Sequence, residues 1–192
     1  MAFNIDTFRT ALTGDGARGN LFDVQLSFPN FVTLGAIAGP KAQVQVRSSH
    51  LPGSSIGTTP TFYFGREVKL AGNRSYADWT VTVLNDEDFI IRNAFEQWIN
   101  SLNDPRGNIR NPQATVIDGG YGSNALVTQY GKAGSILKQY QIIGMFPVDI
   151  SPIDLDWASN DSIEEYSVTL AYQYWLDPGL AGGPSVGISL NL

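Results

Sequence analysis

Apolar and polar residues alternate in several separate stretches of this chain, and that spacing is typical of half-buried β-strands. The stretch 20–28 (NLFDVQLSF) places Phe, Val and Leu on one side and Asp, Gln and Ser on the other. The stretches 78–84 and 163–175 repeat the pattern, with Trp79 and Tyr166 on their apolar sides. Further strands are predicted over 42–47, 62–71 (with a break at Gly65) and 135–150. Two short apolar runs, 114–117 and 125–130, interrupt a segment rich in glycine, asparagine and proline. Strands with one apolar side and one polar, solvent-facing side predict an antiparallel sheet.

One segment has helical spacing instead. Ile91, Phe95 and Trp98 recur every three or four residues, which predicts an amphipathic helix over about 88–102. The fold class expected from these patterns is mainly β: an antiparallel sandwich or barrel-like sheet with one flanking α-helix.

An acidic cluster, Asn85–Asp86–Glu87–Asp88, lies where the Trp79 strand meets this helix. Asn and Asp side chains accept hydrogen bonds from the first N–H groups of a helix, and carboxylates favour its positive end. Asn85 and Asp86 are therefore predicted to cap the helix, with no catalytic role.

Composition excludes several function classes. A chain of 192 residues with 43% hydrophobic and 16% charged residues suits one globular domain. The absence of cysteine excludes disulfides, thiolate metal sites and cysteine nucleophiles. The start of the chain lacks the pattern of a signal peptide, which favours folding in a cytoplasm. A net charge of −6 argues against specific binding of nucleic acid, which needs Lys and Arg on the phosphates.

No motif supports a reaction or a cofactor. Residues 14–19 match GxGxxG, but the strand follows the glycines instead of preceding them. His50 is the only histidine, so a zinc site lacks its partners. The acidic residues of 154–165 lack the glycine and glutamate positions of a calcium loop, and a turn with solvated carboxylates is expected there. Neither an enzyme, a metal nor a cofactor is predicted.

Two longer runs identify a family. The run ADWTVTVLNDED (77–88) followed by an amphipathic helix, and the run LDWASNDSIEEYSVTLAYQYW (155–175), resemble the tail tube protein of contractile-tailed, myovirus-type bacteriophages. Tube proteins of type VI secretion and injection systems share that fold. The resemblance extends in order over 14–175, and it is poor over 104–134 and over 48–60.

The resemblance implies a structural virion protein without catalysis, whose hexameric rings stack into the inner tube of the tail. Expected partners are other copies of the chain, the tail sheath protein, the tape-measure protein, and the baseplate and tail terminator proteins. DNA passes through the lumen without specific binding, and assembly takes place in the host cytoplasm. Two alternatives stay open: the tube of a contractile injection particle or type VI-like secretion system, and a monomeric β-sandwich binding module.

Within one tail tube domain (1–192), an N-terminal segment (1–20) and an extended tail (176–192) are expected to flank the core (21–175). The segment 1–20 and a long mobile loop over 48–60 are expected at ring-to-ring contacts. The candidates for these contacts are His50, Leu51, Pro52, Gly53, Ile56, Phe3 and Phe8. Candidates for the lumen, chosen from the polar sides of the strands, are Gln43, Gln45, Arg47, Glu67, Lys69, Gln139, Gln141, Glu165, Ser167 and Thr169. Among these, Arg47 and Lys69 fit poorly into an acidic lumen.

Overall fold

Nine strands and three helices follow one another along the described part of the chain. The computed structural model describes residues 5–12, 14, 16–112, 114 and 120–178. The elements are α1 Ile5–Ala11, β1 Phe22–Leu26, α2 Gly35–Gln45, β2 Val46–Ser49, β3 Ser55–Tyr63, β4 Arg66–Ser75, β5 Trp79–Leu84, α3 Ile90–Leu102, β6 Ser123–Tyr130, β7 Ile136–Ile150, β8 Glu165–Ala171 and β9 Tyr174–Leu176. The predicted mainly-β fold is confirmed. Phe3, residues 115–117 of one short apolar run and residues 179–192 of the tail lie outside the described residues.

All strand pairs are antiparallel. The main sheet has the order β1-β6-β7-β8-β5-β2, with β9 added on β7, and β3 and β4 form a separate two-stranded sheet. Strand β7 joins the two halves of the main sheet, because it pairs with β6 up to Met145 and with β8 from Phe146 onward. Gly144 lies at this change of partner with φ +67°, where a side chain is rarely tolerated. The strand order begins at β1 and ends at β2, and the short strand β9 leaves a further edge beside β7.

The core lies between the inner side of this sheet and helix α3. The predicted alternation of β5 and β8 and the predicted apolar face of α3 are confirmed, because the inward side chains are at most 2% exposed. These side chains are Trp79, Val81, Val83, Tyr166, Val168, Leu170, Ile91, Phe95 and Trp98. Among the described residues, no helix is long and apolar enough to span a membrane.

Helix α2 corrects the prediction for residues 35–47. A loop and a strand over 42–47 were expected, whereas the helix extends from Gly35 to Gln45 and the strand begins only at Val46. Ala38 and Ala42 are completely buried, because small residues four positions apart let the helix approach β1 closely. Pro40 removes one helical hydrogen bond, and this packing overrides that cost. Gln43 and Gln45 therefore lie on a helix and not on the polar side of a strand.

The predicted mobile loop over 48–60 is also wrong in large part. Strand β2 extends to Ser49 and β3 begins at Ser55, so only five residues, 50–54, connect them. This short connection is anchored to the core: Trp79 Nε1 donates to the His50 carbonyl at 2.9 Å, and Trp175 Nε1 donates to the Gly53 carbonyl at 3.2 Å. The strand preference of Thr and the pairing with β4 outweigh the turn-forming residues.

The predicted helix cap needs a correction as well. Helix α3 begins at Ile90, after Phe89 in the left-handed region (φ 53°), and Asp88 Oδ1 accepts from the Ile90 N–H at 3.1 Å. Asn85 instead donates to Glu164 Oε2 at 2.9 Å, and Asp86 binds Lys41. The helix starts later than expected, so Asn85 and Asp86 lie too far from its first N–H groups to cap it.

Candidate assembly surfaces

A polar surface covers the side of β5 and β8 that faces away from the core. Register pairs Thr80 with Thr169 and Thr82 with Ser167, and the two hydroxyls of the second pair lie 3.3 Å apart. We call these four residues the hydroxyl face. Arg47 of β2 forms an ion pair with Glu165 at one end of it. The structure therefore brings Arg47, Glu165, Ser167 and Thr169 together, and the charge of Arg47 is balanced by its neighbour.

The other lumen candidates lie elsewhere. Gln139 donates to Thr128 Oγ1 on the outer side of the β6–β7 half of the sheet, and Gln43 of α2 donates to Asp23 beside it. Gln141 lies two residues after Gln139 on β7, and its side chain therefore faces the same side of the sheet. Gln45 donates to Asp86. Glu67 and Lys69 belong to β4, so the ten candidates fall on four separate surfaces.

The two-stranded sheet formed by β3 and β4 (55–75), here called the hairpin, has exposed side chains along almost its whole length. Register pairing runs from Ser55–Ser75 to Tyr63–Arg66. Its exposed apolar side chains include Phe62 at 73%, Tyr63 at 70% and Phe64 at 93% exposure. Such a cluster of exposed aromatic residues marks an interaction surface.

The turn of the hairpin carries an unusual residue. Phe64 has φ 46° and the following Gly65 has φ 78°. Two-residue turns with two positive φ angles favour Asn-Gly, and a bulky residue at the first position is strained. Backbone strain of this kind costs about 1–3 kcal/mol and occurs preferentially at functional positions. An aromatic side chain is thus retained at the tip although the local backbone disfavours it.

The connection between β7 and β8 (151–164), here called the β7–β8 loop, is the second exposed apolar surface. Leu155 is 82% exposed, Trp157 99% and Ile163 70%. The loop surrounds an open hollow of about 610 Å³. The expected turn with solvated carboxylates is confirmed for Asp154, Asp156 and Asp161, which are all exposed. It is wrong for the last two acidic residues of the stretch, because Glu164 accepts from Asn85 and Glu165 belongs to β8. No role was predicted for Trp157, although the sequence already shows a tryptophan placed between acidic residues.

The ring-contact candidates are only partly available. Pro52 is buried in its own subunit, which corrects its assignment as a contact residue. Leu51 is 41% exposed and Ile56 55%, and His50 and Gly53 are exposed beside them. Phe8 of α1 is 65% exposed.

An ionic cluster that sequence patterns did not reveal joins α2 to the start of α3. Lys41 Nζ lies 2.6 Å from Asp86 and also binds Asp88, while Gln45 donates to Asp86. The hydrogen bonds from Lys41 and then from Gln45 lower the pKa of Asp86 from 3.8 to about 2. This cluster fixes the strand–helix joint that resembles the tail tube family.

Replacing Asp86 by Asn tests the cluster. Because the folded-state pKa of Asp86 lies below its unfolded value, its contribution is present above about pH 4 and is lost as the pH falls toward 2. We expect Asp86→Asn to lower the free energy of unfolding at pH 7 by about 0.5–1 kcal/mol. Chemical denaturation between pH 7 and pH 2 measures this difference, which should shrink at the acid end. Asp156→Asn, in the exposed loop, is the control and should change neither value; an equal loss in both variants contradicts the assignment.

Comparisons with known proteins agree with this arrangement. The family described as phage tail tube protein matches residues 17–177. Tail tube protein gp19 of Enterobacteria phage T4 is 34% identical over 175 residues, covering 88% of this chain and 97% of the relative. In fold, the chain resembles the anti-feeding prophage tube terminating cap (TM-score 0.62, 17% identity, 92% and 98% of the two chains). It also resembles the sheath-tube complex of an extracellular contractile injection system, PVC (TM-score 0.53, 16% identity, 92% and 98%). The chain therefore belongs to the phage tail tube protein family, whose members are structural components of phage tails and not enzymes.

Proposed function

We propose that six copies of the chain close into a ring and that the rings stack into the inner tube of a contractile phage tail. The observation that carries this proposal is the pair of sheet edges, β1 and β2, at opposite ends of one main sheet. Among the strands that the structure describes, none pairs with the outward side of β1 or β2, and an edge of this kind can pair with another chain. Joining β1 of one copy to β2 of the next would continue the sheet around a ring.

The hydroxyl face is the part of the sheet best suited to line the lumen. Hydroxyl groups and a balanced Arg47–Glu165 pair give a wet surface of little net charge, and the chain as a whole is acidic (−6). DNA would not adhere to such a wall, because binding to its phosphates depends on cationic side chains. Gln139 and Gln141 lie on the β6–β7 half of the sheet, and Glu67 and Lys69 lie on the hairpin, so we do not propose these four residues for the lumen.

The proposed tube implies which other tail proteins the chain would contact. We propose that the outside of the stacked rings meets the sheath protein, that a tape-measure protein occupies the lumen during assembly, and that baseplate and terminator proteins hold the two ends. Assembly would take place in the host cytoplasm. Ring-to-ring contacts would use Phe8, Leu51 and Ile56, which are exposed on one copy.

A contractile injection particle is the second candidate. It is favoured by the likeness of the fold to the anti-feeding prophage and PVC chains. Both candidates require the same rings and tubes, and they differ in the cargo of the lumen.

Negative-stain electron microscopy of the purified chain tests the proposal. Rings with six-fold symmetry and a central hole, or stacks of such rings, are expected at high protein concentration. Uniform monomers in both microscopy and analytical ultracentrifugation would overturn it and favour a free binding module.

Two lysines placed on the hydroxyl face test the lumen. Ser167→Lys combined with Thr169→Lys should give tubes that retain double-stranded DNA in a filter-binding assay, because cations then line the wall. Val44→Lys, on the exposed side of α2 at 85% exposure, is the control for added charge. Equal DNA retention by the two kinds of tube contradicts the assignment of this face to the lumen.

A further inference from the structure

The hairpin and the β7–β8 loop carry opposite charges. The hairpin has three basic residues and one acidic residue, Glu67, whereas the loop has four acidic residues and no basic one. The basic residues are Arg66, Lys69 and Arg74, and the acidic residues of the loop are Asp154, Asp156, Asp161 and Glu164. Within the described part of the chain, no ion pair involves Arg66, Lys69 or Arg74. Both surfaces therefore hold charge that one copy leaves unbalanced.

Both surfaces also expose apolar side chains that one copy does not cover. Phe62 and Phe64 extend from the hairpin, and Leu155, Trp157 and Ile163 surround the hollow of the loop. The hollow is lined by acidic and apolar side chains together, and the hairpin presents aromatic and basic ones. Aromatic anchors combined with complementary charges are typical of specific interfaces.

We propose that the tip of the hairpin of one copy docks on the β7–β8 loop of a second copy. This inference rests on the proposed function, and it specifies which two surfaces meet. The aromatic tip would enter the hollow beside Trp157. Arg66 and Lys69 lie on opposite faces of the hairpin, so each would meet acidic residues of the loop on its own side of the inserted tip. The charges favour a second copy of the chain as the partner, because every copy carries both the basic hairpin and the acidic β7–β8 loop.

The geometry suits a stacked assembly. Strands of nine and ten residues extend roughly 30 Å at about 3.4 Å per residue, so the tip reaches well beyond its own subunit. Contact between two different surfaces is heterologous, and a heterologous contact continues into a ring or an open filament instead of stopping at a dimer. The strained Phe64 is kept at the position that meets the partner.

Cysteine crosslinking tests this contact directly, because the chain contains no cysteine of its own. Copies with Phe64→Cys are mixed with copies carrying Ser159→Cys, an exposed position that lines the same hollow and leaves Trp157 in place, and the mixture is assembled and oxidised. The mixed disulfide should form at about tenfold higher yield than in a control mixture of Phe64→Cys with Val44→Cys, whose site is exposed on α2. The yield should fall from 0.1 to 1 M salt, since the Debye length shrinks from about 10 to about 3 Å. A mixed yield equal to the control, or a preference for Phe64–Phe64 pairs, overturns the proposal.

Charge exchange gives a second readout. Arg66→Glu with Lys69→Glu should lower the assembled fraction about tenfold, and adding Asp154→Lys with Asp156→Lys in the same chain should restore it. Failure to restore counts against the contact. If the cysteine variants form tubes without the specific crosslink, this inference fails and the proposed tube is unaffected. If unmodified chains form neither rings nor tubes, the proposed function fails. If the loop is protected only after sheath protein is added, the occupant is the sheath and the inference is overturned.

Discussion

Shortening the hairpin is expected to abolish tube formation and to leave the folded subunit intact. The variant removes residues 59–70 and joins Thr58 to Ala71, which are register partners, through Asn-Gly. That dipeptide closes a two-residue turn without strain. Residues of the hairpin are exposed along nearly the whole removed stretch, so the core loses no packing. Sedimentation and electron microscopy should show subunits or single rings with no stacks.

The thermal midpoint of the shortened variant separates assembly from folding. It should equal that of unassembled full-length protein within about 2 °C, because a surface change of 0.5 kcal/mol shifts a domain of this size by that much. Val44→Ser, another change at an exposed site, is the control and should form normal tubes. Tubes of normal length from the shortened variant would show that the hairpin has no part in stacking.

The strands and helix α3 were predictable from the sequence because burial on one side imposes a clear period. Alternation in β5 and β8 and the spacing of Ile91, Phe95 and Trp98 in α3 follow directly from which side chains the core covers. These elements also carry the resemblance that led to the family.

Helix α2 was not predictable from periodicity. Its buried positions are glycine and alanine, which periodicity based on large apolar residues overlooks, and Val44 lies on its exposed side at 85%. The sequence alternation around Val44 and Val46 therefore suggested a strand that the packing of Ala38 and Ala42 overrides.

The candidate surfaces were only partly predictable for a related reason. A lumen or a docking surface is defined by which strands become neighbours, and residues 47, 165, 167 and 169 meet only through the order β2-β5-β8. The cluster of Lys41 with Asp86 joins positions 45 residues apart, so no local sequence pattern predicts it. The cap assigned to Asn85 and Asp86 was wrong because α3 begins only at Ile90, and Glu164 and Lys41 bind these two side chains instead.

Alanine substitution at two tryptophans should affect different properties: the stability of the fold at Trp98 and assembly at Trp157. Trp98 is completely buried, lies 5.6 Å from the Phe28 ring, and donates through Nε1 to the Tyr121 carbonyl at 2.8 Å. Trp98→Ala leaves a cavity and an unpaired carbonyl, which should lower the free energy of unfolding by about 3–5 kcal/mol. The thermal midpoint should fall by roughly 6–20 °C.

Trp157→Ala is the matched control, because its side chain is 99% exposed. Removing an exposed side chain changes stability by about 0.5 kcal/mol or less, so denaturation curves of this variant should overlay those of the original protein. Its defect should appear in assembly instead, since the β7–β8 loop loses the ring that we propose as the contact of the hairpin. Equal destabilisation by the two substitutions would place Trp157 in the core and remove it from the interface. A stable Trp157→Ala subunit that stacks normally would leave the folding role of Trp98 unaffected and reject Trp157 as an anchor between copies.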